Sequence, residues 1–429
     1  MIYKQPKEAT TGLTYTRSGA ATAWRADGTL AEFAPNVIRR TDAGVLIEGQ
    51  RTNLYLRWDP TIEHITTKGG NVSNAQPPAN APLTGRNWVE LGAGGSSGPT
   101  YMYPPCSAIA SSSTVTFSCL CETPDGTPPV YGPGVTGSDF DVGFDRGGAL
   151  TGASFSTTRR SGNIWDCRLT GVTPASGTSV YAGVRRTSVI QNQRPLKFSG
   201  FQLEQAPDAS SPIITTGAAA TRGADDFYIG GLQQLFASPY SFVVECEALP
   251  TNGVRSLAAV NSGGTTNRVL IYRGTGVATF QLQVRAGGST VLQQGSSPMP
   301  GSERAKAALS FDGRYYRACV NGVMFGGGEP TATFTVPPDR IHPFGSATSA
   351  EQSYAAGRRL VILPYSLTDE ELVKLTSLND TTFDHLNPGG VYYYDAGQTA
   401  MPRKSQVVAP ISLGNQVVVP ISSGRELIL

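Results

Sequence analysis

Several short patterns in this chain carry residue types that do chemistry. Gly94-Gly95-Ser96-Ser97-Gly98 matches G-x-S-x-G, in which a serine nucleophile rides a sharp strand-to-helix turn. Pro99 follows and the flanks read as loop, so the elements that would activate Ser96 are missing. Glu245 and Glu247 stand two apart in a run that reads as strand, which puts both carboxylates on one face. Some sandwich glycanases use acidic residues at such spacings as nucleophile and acid. The third acidic residue of those sites is absent here, and the pair reads as the solvent side of a strand. Asp139, Asp141 and Asp145 alternate with Phe140, Val142 and Phe144, so the three carboxylates are expected outward. Calcium takes six to eight oxygens, but positions i and i+6 of a strand lie ~20 Å apart. Only Asp139 and Asp141 could share an ion, and a solvated face is the expectation. Gly274-Thr275-Gly276 lacks the third glycine of a dinucleotide fingerprint and reads as a turn.

The remaining reactive types are scattered. His64, His342 and His385 offer no zinc spacing, and the six cysteines form no CxxC pair. Reduced, mostly buried thiols are expected, with no metal and no cofactor. Aromatic rings are the other candidates, because a ring face meets the C–H groups of a pyranose while polar neighbours bond its hydroxyls. Of Trp24, Trp58, Trp88, Trp165, Tyr101 and Tyr103, the three that flank a loop, Trp88, Tyr101 and Tyr103, lead as a carbohydrate platform.

These residues need a scaffold, and composition bounds it. Of 429 residues 50 are Gly and 30 Pro, 15% are charged and 39% hydrophobic. That is rich in turns and poor in charge against average usage, yet apolar enough for sizeable cores. Net charge is +2 and no basic run exceeds two residues, which argues against nucleic acid. No apolar stretch reaches membrane-helix length, and Met1 to Pro6 carry no signal core, so synthesis and retention in the producer's cytoplasm are expected. Strands are expected around Gly44–Gly49, a brief buried one, Thr114–Leu120 and Asp139–Asp145, which alternate with period 2, and Ser179–Val184, Leu196–Glu204, Tyr240–Glu247, Arg268–Tyr272, Ala278–Val284 and Arg359–Leu363. Residues 305–323 read as strand, turn, strand, with Asn321-Gly322 a type I′ turn. Thr368 with Glu371 predicts a capping box and one short helix near 369–378. The expected fold is all-β: two antiparallel jelly-roll or concanavalin A-like sandwiches, 58–204 and 238–378. An N-terminal arm, 1–57, would pack on the first sandwich, a linker would span 205–237, and an extension would run through 379–429. Glu48 and Arg51 are expected to lock the N-terminal arm to the first sandwich. The extension repeats a decapeptide, QVVAPISLGN at 406–415 and QVVVPISSGR at 416–425. Its Val407, Val408, Ile411, Val417, Val418, Val419 and Ile421 are expected to be buried against other subunits.

Four stretches together resemble tailed-bacteriophage virion surface proteins. They are Leu13–Arg17 leading to Gly44-Val45-Leu46-Ile47-Glu48-Gly49-Gln50-Arg51-Thr52-Asn53-Leu54; Gly200-Phe201-Gln202-Leu203-Glu204; Ile213 to Asp225; and the strand pattern Tyr240–Glu247, Ala308–Val323 and Leu360–Leu378. The resemblance spans roughly 13–378. It implies a carbohydrate-module-like jelly roll followed by a laminin G-like sandwich, displayed on the virion as tail fibre, head fibre or spike. It implies a chain made in the host bacterial cytoplasm and carried on the particle surface; no enzyme activity is expected, because no acidic pair, Ser-His-Asp set or metal cluster survives the reading of the motifs. The expected partners are other copies, as a homotrimer, capsid or tail proteins, and host-surface glycan, without nucleic acid or membrane insertion. A capsid decoration or cement role and a glycan depolymerase are the alternatives.

Overall fold

The structure, a computed structural model, describes residues 13–379 except 93–98, 133–136, 146–147, 176–178, 187–193, 248–253, 275–278, 296–303 and 349–350; beyond 379 it describes only the backbone of 390–393, 412–413 and 416–417. The protein is all-β, built from antiparallel sheets with two short helices among the described residues. No described helix is long and apolar enough to cross a membrane.

One unit comprises Gly19–Phe33 and Arg51–Arg222. Its six-stranded sheet runs Thr151–Ser161, Ile164–Val172, Thr114–Glu122, Leu196–Glu204, Trp88–Leu91, Val72–Ala75. A five-stranded sheet combines Pro105–Ile109, Ser179–Arg186, Thr100–Tyr103, Thr67–Gly69 and Asp141–Phe144. Alternation decides the core: Val115, Phe117, Cys119 and Cys121 from the first sheet meet Met102, Val142, Phe144 and Val184 from the second. The other side of the six-stranded sheet is closed by Leu30, Trp58, Trp88, Leu120 and Ile164, with Trp24 against them.

The second unit holds the described residues up to Ser18, Ala34–Gln50 and those from Gly223 onward. Its seven-stranded sheet runs Leu13–Thr16, Asp226–Ile229, Arg340–Pro343, Arg255–Asn261, Arg268–Arg273, Phe280–Ala286, Ser289–Gly295. The facing sheet is eight-stranded and includes Tyr240–Glu247, Arg304–Phe311, Tyr316–Val320, Ala355–Leu363 and Gly44–Ile47, with Gly390–Tyr393 added in parallel. Phe242, Val244, Leu309 and Ile362 of this sheet share a core with Val260, Val269, Ile271 and Leu282 of the other. On its outer side Val243, Ala308 and Val361 receive Leu372 and Leu375 of the helix Asp369–Thr376, each worth about 1.5–3 kcal/mol of burial. The helix starts where the sequence places it: Thr368 accepts from the Glu371 amide and Glu371 reaches back to Thr368. Asn321 and Gly322 both have positive φ, 50° and 81°, as a type I′ turn requires.

The chain is partitioned differently from the expected arm, sandwich, linker, sandwich order. Leu13–Thr16 and Gly44–Ile47 are strands of the second unit, while Ala21–Trp24 and Leu30–Phe33 belong to the first. Residues 205–237 are not simply a linker either: Ala220–Arg222 pairs with Arg51–Asn53, and Asp226–Ile229 sits inside the seven-stranded sheet. Unpaired edges in each sheet set explain this, since a strand from a distant segment satisfies backbone groups that local hairpins leave open.

Candidate functional site

In the five-stranded sheet, register fixes one cross-strand row: Gly69 opposite Tyr101, Tyr101 opposite Arg185, and Arg185 opposite Asp141. Met102, Val184 and Val142 point into the core, so this row and Tyr103 lie on the opposite face. The Tyr101 and Tyr103 rings are 5.2 Å apart between centroids at 39°. A Cβ on Gly69 would fall 2.6 Å from Tyr101 Cε1, so glycine there lets the ring lie down over the neighbouring strand. Arg185 donates through Nε to Asp141 Oδ2 at 2.8 Å, and its side chain stays 22% exposed.

Electrostatics here are set by burial and one ion pair. Burial raises the Asp141 carboxyl, and the Arg185 guanidinium opposes that rise. Burial raises the Tyr103 phenol as well. Tyr131 is pushed up to about 12, by burial first and then by the Asp141 charge. Asp141 Oδ1 and the Tyr131 hydroxyl are buried without a hydrogen-bond partner among the described residues. The face therefore offers one half-buried ring, Tyr101, and one partly exposed guanidinium, Arg185. It has the means to stack and to donate hydrogen bonds, and its carboxylate is held by an arginine.

The structure corrects part of the aromatic platform. Trp88 is 2% exposed, covered by Leu30, Trp58 and Ile164, and Tyr103 is 7% exposed. Neither presents a ring to solvent; Tyr101 is the member of the trio that does in part. Sequence reasoning missed Arg185, because its place opposite both Tyr101 and Asp141 is set by strand register that only folding creates. Trp58 and Trp165 are core residues, and Trp24 carries Arg160 4.3 Å above its ring.

The acidic patterns also change character. The expected solvated aspartate face is mostly buried: Asp139 is 0% and Asp141 1% exposed. Arg194 grips Asp139 at 2.6–2.7 Å, and Arg185 grips Asp141. Glu245 is not on a solvent face either. It is 3% exposed and ringed by Arg304, Arg358 and Arg359, with Glu247 also held by Arg358. A small recess lined by Glu245, Lys306, Arg359, Val361 and Leu375 lies beside it. A carboxylate this buried, with its oxygens held by three guanidiniums, is closed off from a substrate.

Glu48 and Arg51 do not lock the same partners. Arg51 reaches Asp208 at 3.0 Å and Glu204 at 3.9 Å in the first unit. Glu48 belongs to the second unit, where it accepts from Arg39 at 2.5 Å and its backbone N–H donates to Asp225 Oδ2 at 2.7 Å. All six cysteines are free and buried. Among the described residues no group of three or more His, Cys, Asp or Glu could hold a metal ion. Ser96 and its glycines lie outside the described residues, as do the side chains of Val407, Val408, Ile411, Val417, Val418, Val419 and Ile421. Of the repeat, the structure describes the backbone pairing of Ser412 with Val417 and Leu413 with Gln416.

No protein-family model matches the chain, and no curated protein does. Among solved structures, the CBM40 module of a Ruminococcus gnavus IT-sialidase aligns with 34% of this chain and 85% of its own, at 17% identity and a TM-score of 0.28. A leech intramolecular trans-sialidase aligns with 34% of this chain and 24% of its own, at 16% identity and a TM-score of 0.28. A Bacteroides ovatus protein described as carbohydrate binding aligns with 77% of this chain and 86% of its own, at 10% identity and a TM-score of 0.26.

Proposed function

We propose that this chain is a structural component of a tailed-phage virion, displayed on the particle surface as a homotrimeric fibre or spike that contacts host-surface glycan without cleaving it. The observation that carries the glycan reading is the Tyr101–Arg185–Asp141 row. It sets a ring and a guanidinium side by side on a sheet face, and Arg185 binds the row's carboxylate. The virion reading rests on the sequence resemblance. Its two most specific stretches are neighbours in the fold: Arg51–Asn53 pairs with Ala220–Arg222, and Glu48 bonds to Asp225.

Three measurements test the reading. Titration of purified protein with host lipopolysaccharide and capsular glycan should show binding, weakened about tenfold by Tyr101→Ala, the scale of one lost stacking contact. Incubation with the same glycans should release no oligosaccharide; release that Glu245→Gln abolishes would replace this reading with a depolymerase. Antibody labelling of purified particles should mark fibres or spikes. Labelling confined to capsid facets, with no glycan binding, would favour the cement role.

A further inference from the structure

A second polar face stands in the other unit, and no motif pointed to it. Strands Arg268–Arg273, Phe280–Ala286 and Ser289–Gly295 are consecutive neighbours in the seven-stranded sheet. Val269, Ile271, Leu282 and Val284 face the core. The opposite face carries two cross-strand rows, Tyr272–Gln281–Gly295 and Leu270–Gln283–Gln293, with Arg268 at their border. One hydrogen-bond chain runs through them. Arg268 pairs with Glu351 at 2.7 Å and donates to Gln283 Oε1 at 2.9 Å. Gln283 donates to Gln293 at 3.4 Å, Gln293 to Gln281 at 2.8 Å, and the Tyr272 hydroxyl also donates to Gln281. Gln281 and Gln283 are half-buried and Gln293 is exposed, over an apolar floor of Ala259, Leu270 and Tyr272.

We infer that this amide face is a second glycan-binding surface, selective for an uncharged polysaccharide chain. Three properties of the face carry this. A sugar hydroxyl both donates and accepts, as does a side-chain amide. Gln281 Nε2 donates to no described residue although its carbonyl accepts two bonds, so two donors remain for a ligand at the centre of the face. The glutamine rotamers are already fixed by their neighbours, so binding forfeits less side-chain entropy than it would on a free surface. Selectivity for an uncharged chain follows from the charge at the centre of the face: the three glutamines have none, Arg268 is closed by Glu351, and Arg285, opposite Arg268 at the border, donates to the Gly288 carbonyl. The rows span about 7 Å along a strand and about 10 Å across three strands, the footprint of roughly two sugar rings. This goes beyond the first face, which lies in the other unit and offers a guanidinium.

The test is saturation-transfer NMR and titration of the full chain with uncharged hexasaccharides: maltohexaose, cellohexaose and mannohexaose. At least one should bind. The triple variant Gln281→Ala, Gln283→Ala, Gln293→Ala should weaken it at least tenfold, roughly the loss of one or two hydrogen bonds. Gln281→Glu, which keeps the side chain's shape but removes both donors, should weaken it as well and guards against misfolding of the triple variant. Tyr101→Ala should leave this binding unchanged. The inference is overturned if none of the three sugars binds the unsubstituted chain, if binding survives Gln281→Glu, or if it is lost with Tyr101→Ala instead. Failure of the first face would show separately, as unaltered host-glycan binding by Tyr101→Ala.

Discussion

Asp225 is fully buried and takes bonds from four directions: Arg17, Arg39, the Glu48 amide and the Tyr15 hydroxyl. Arg17 and Arg39 are themselves 1% and 0% exposed. Removing the aspartate leaves two buried guanidiniums short of a partner, so Asp225→Ala should cost about 3–5 kcal/mol, read as a lowered urea midpoint of the second unit. His342 makes a pH prediction. It is 3% exposed, and burial first, then Arg340, lowers its pKa from 6.5 to about 4. Asp226 lies 3.5 Å from Nδ1 but is half exposed, and Asp339 is the other acid that favours the charged form. Between those two pKa values the unfolded chain binds a proton that the folded chain refuses. Stability from this group is therefore complete above about pH 6.5 and is lost as pH falls towards 4, by up to ~1.4 kcal/mol per unit. Urea midpoints at pH 4.5 and 7 should differ less in His342→Gln. At this scale the sequence named Tyr101 but not the cover over Trp88, because Leu30 and Trp58 arrive from segments 30 to 58 residues away.

Elements were legible where their signal is local. Four residues, Thr368 to Glu371, were enough to place the helix start, because both capping bonds close within one turn. Thr368→Ala should cost about 1 kcal/mol, visible as faster amide exchange across Asp369–Thr376. Strand Leu196–Glu204 shows what periodicity hides. Phe198 and Phe201 both enter the core although three apart, because the pairing shifts between Ser118 and Leu120 and Gly200 takes φ +66° there. A Cβ at 200 would lie 2.9 Å from Leu120 Cγ and 3.1 Å from the Trp58 ring. Gly200→Ala should destabilise the first unit by about 1–3 kcal/mol, measured as a fall in its melting temperature.

For the whole molecule, the interleaved partition makes a sharp prediction. A chain starting at residue 51 loses Leu13–Thr16 and Gly44–Ile47 from the two sheets of the second unit, together with Arg17, Arg39 and Glu48. It should melt without a cooperative second transition, whereas an independent N-terminal arm would leave that transition unchanged. The C-terminal repeat is proposed to act between subunits. Seven Val and Ile side chains in fifteen residues, 407–421, are worth ~1.5–3 kcal/mol each if buried and invite aggregation if not. A chain ending at Lys404 should keep both units folded by circular dichroism but elute as a monomer in light scattering; a persisting trimer would remove the repeat from the interface.

The sequence by itself determined the all-β class, a minority of the strands (Thr114–Glu122 and Tyr240–Glu247 among them), the Asn321-Gly322 turn and the Thr368 cap, since each rests on spacings of two to four residues that fix backbone conformation locally. Tertiary structure decided the rest. Which strands close which sheet, how Asp139 and Glu245 came to be buried among arginines, and how Arg185 meets Tyr101 and Gln281 meets Gln293 all depend on register between segments brought together only by folding. Period-2 alternation names two faces of a strand but not which one another layer will cover. That choice is made by burial of the whole chain, and it placed the two polar faces on different units.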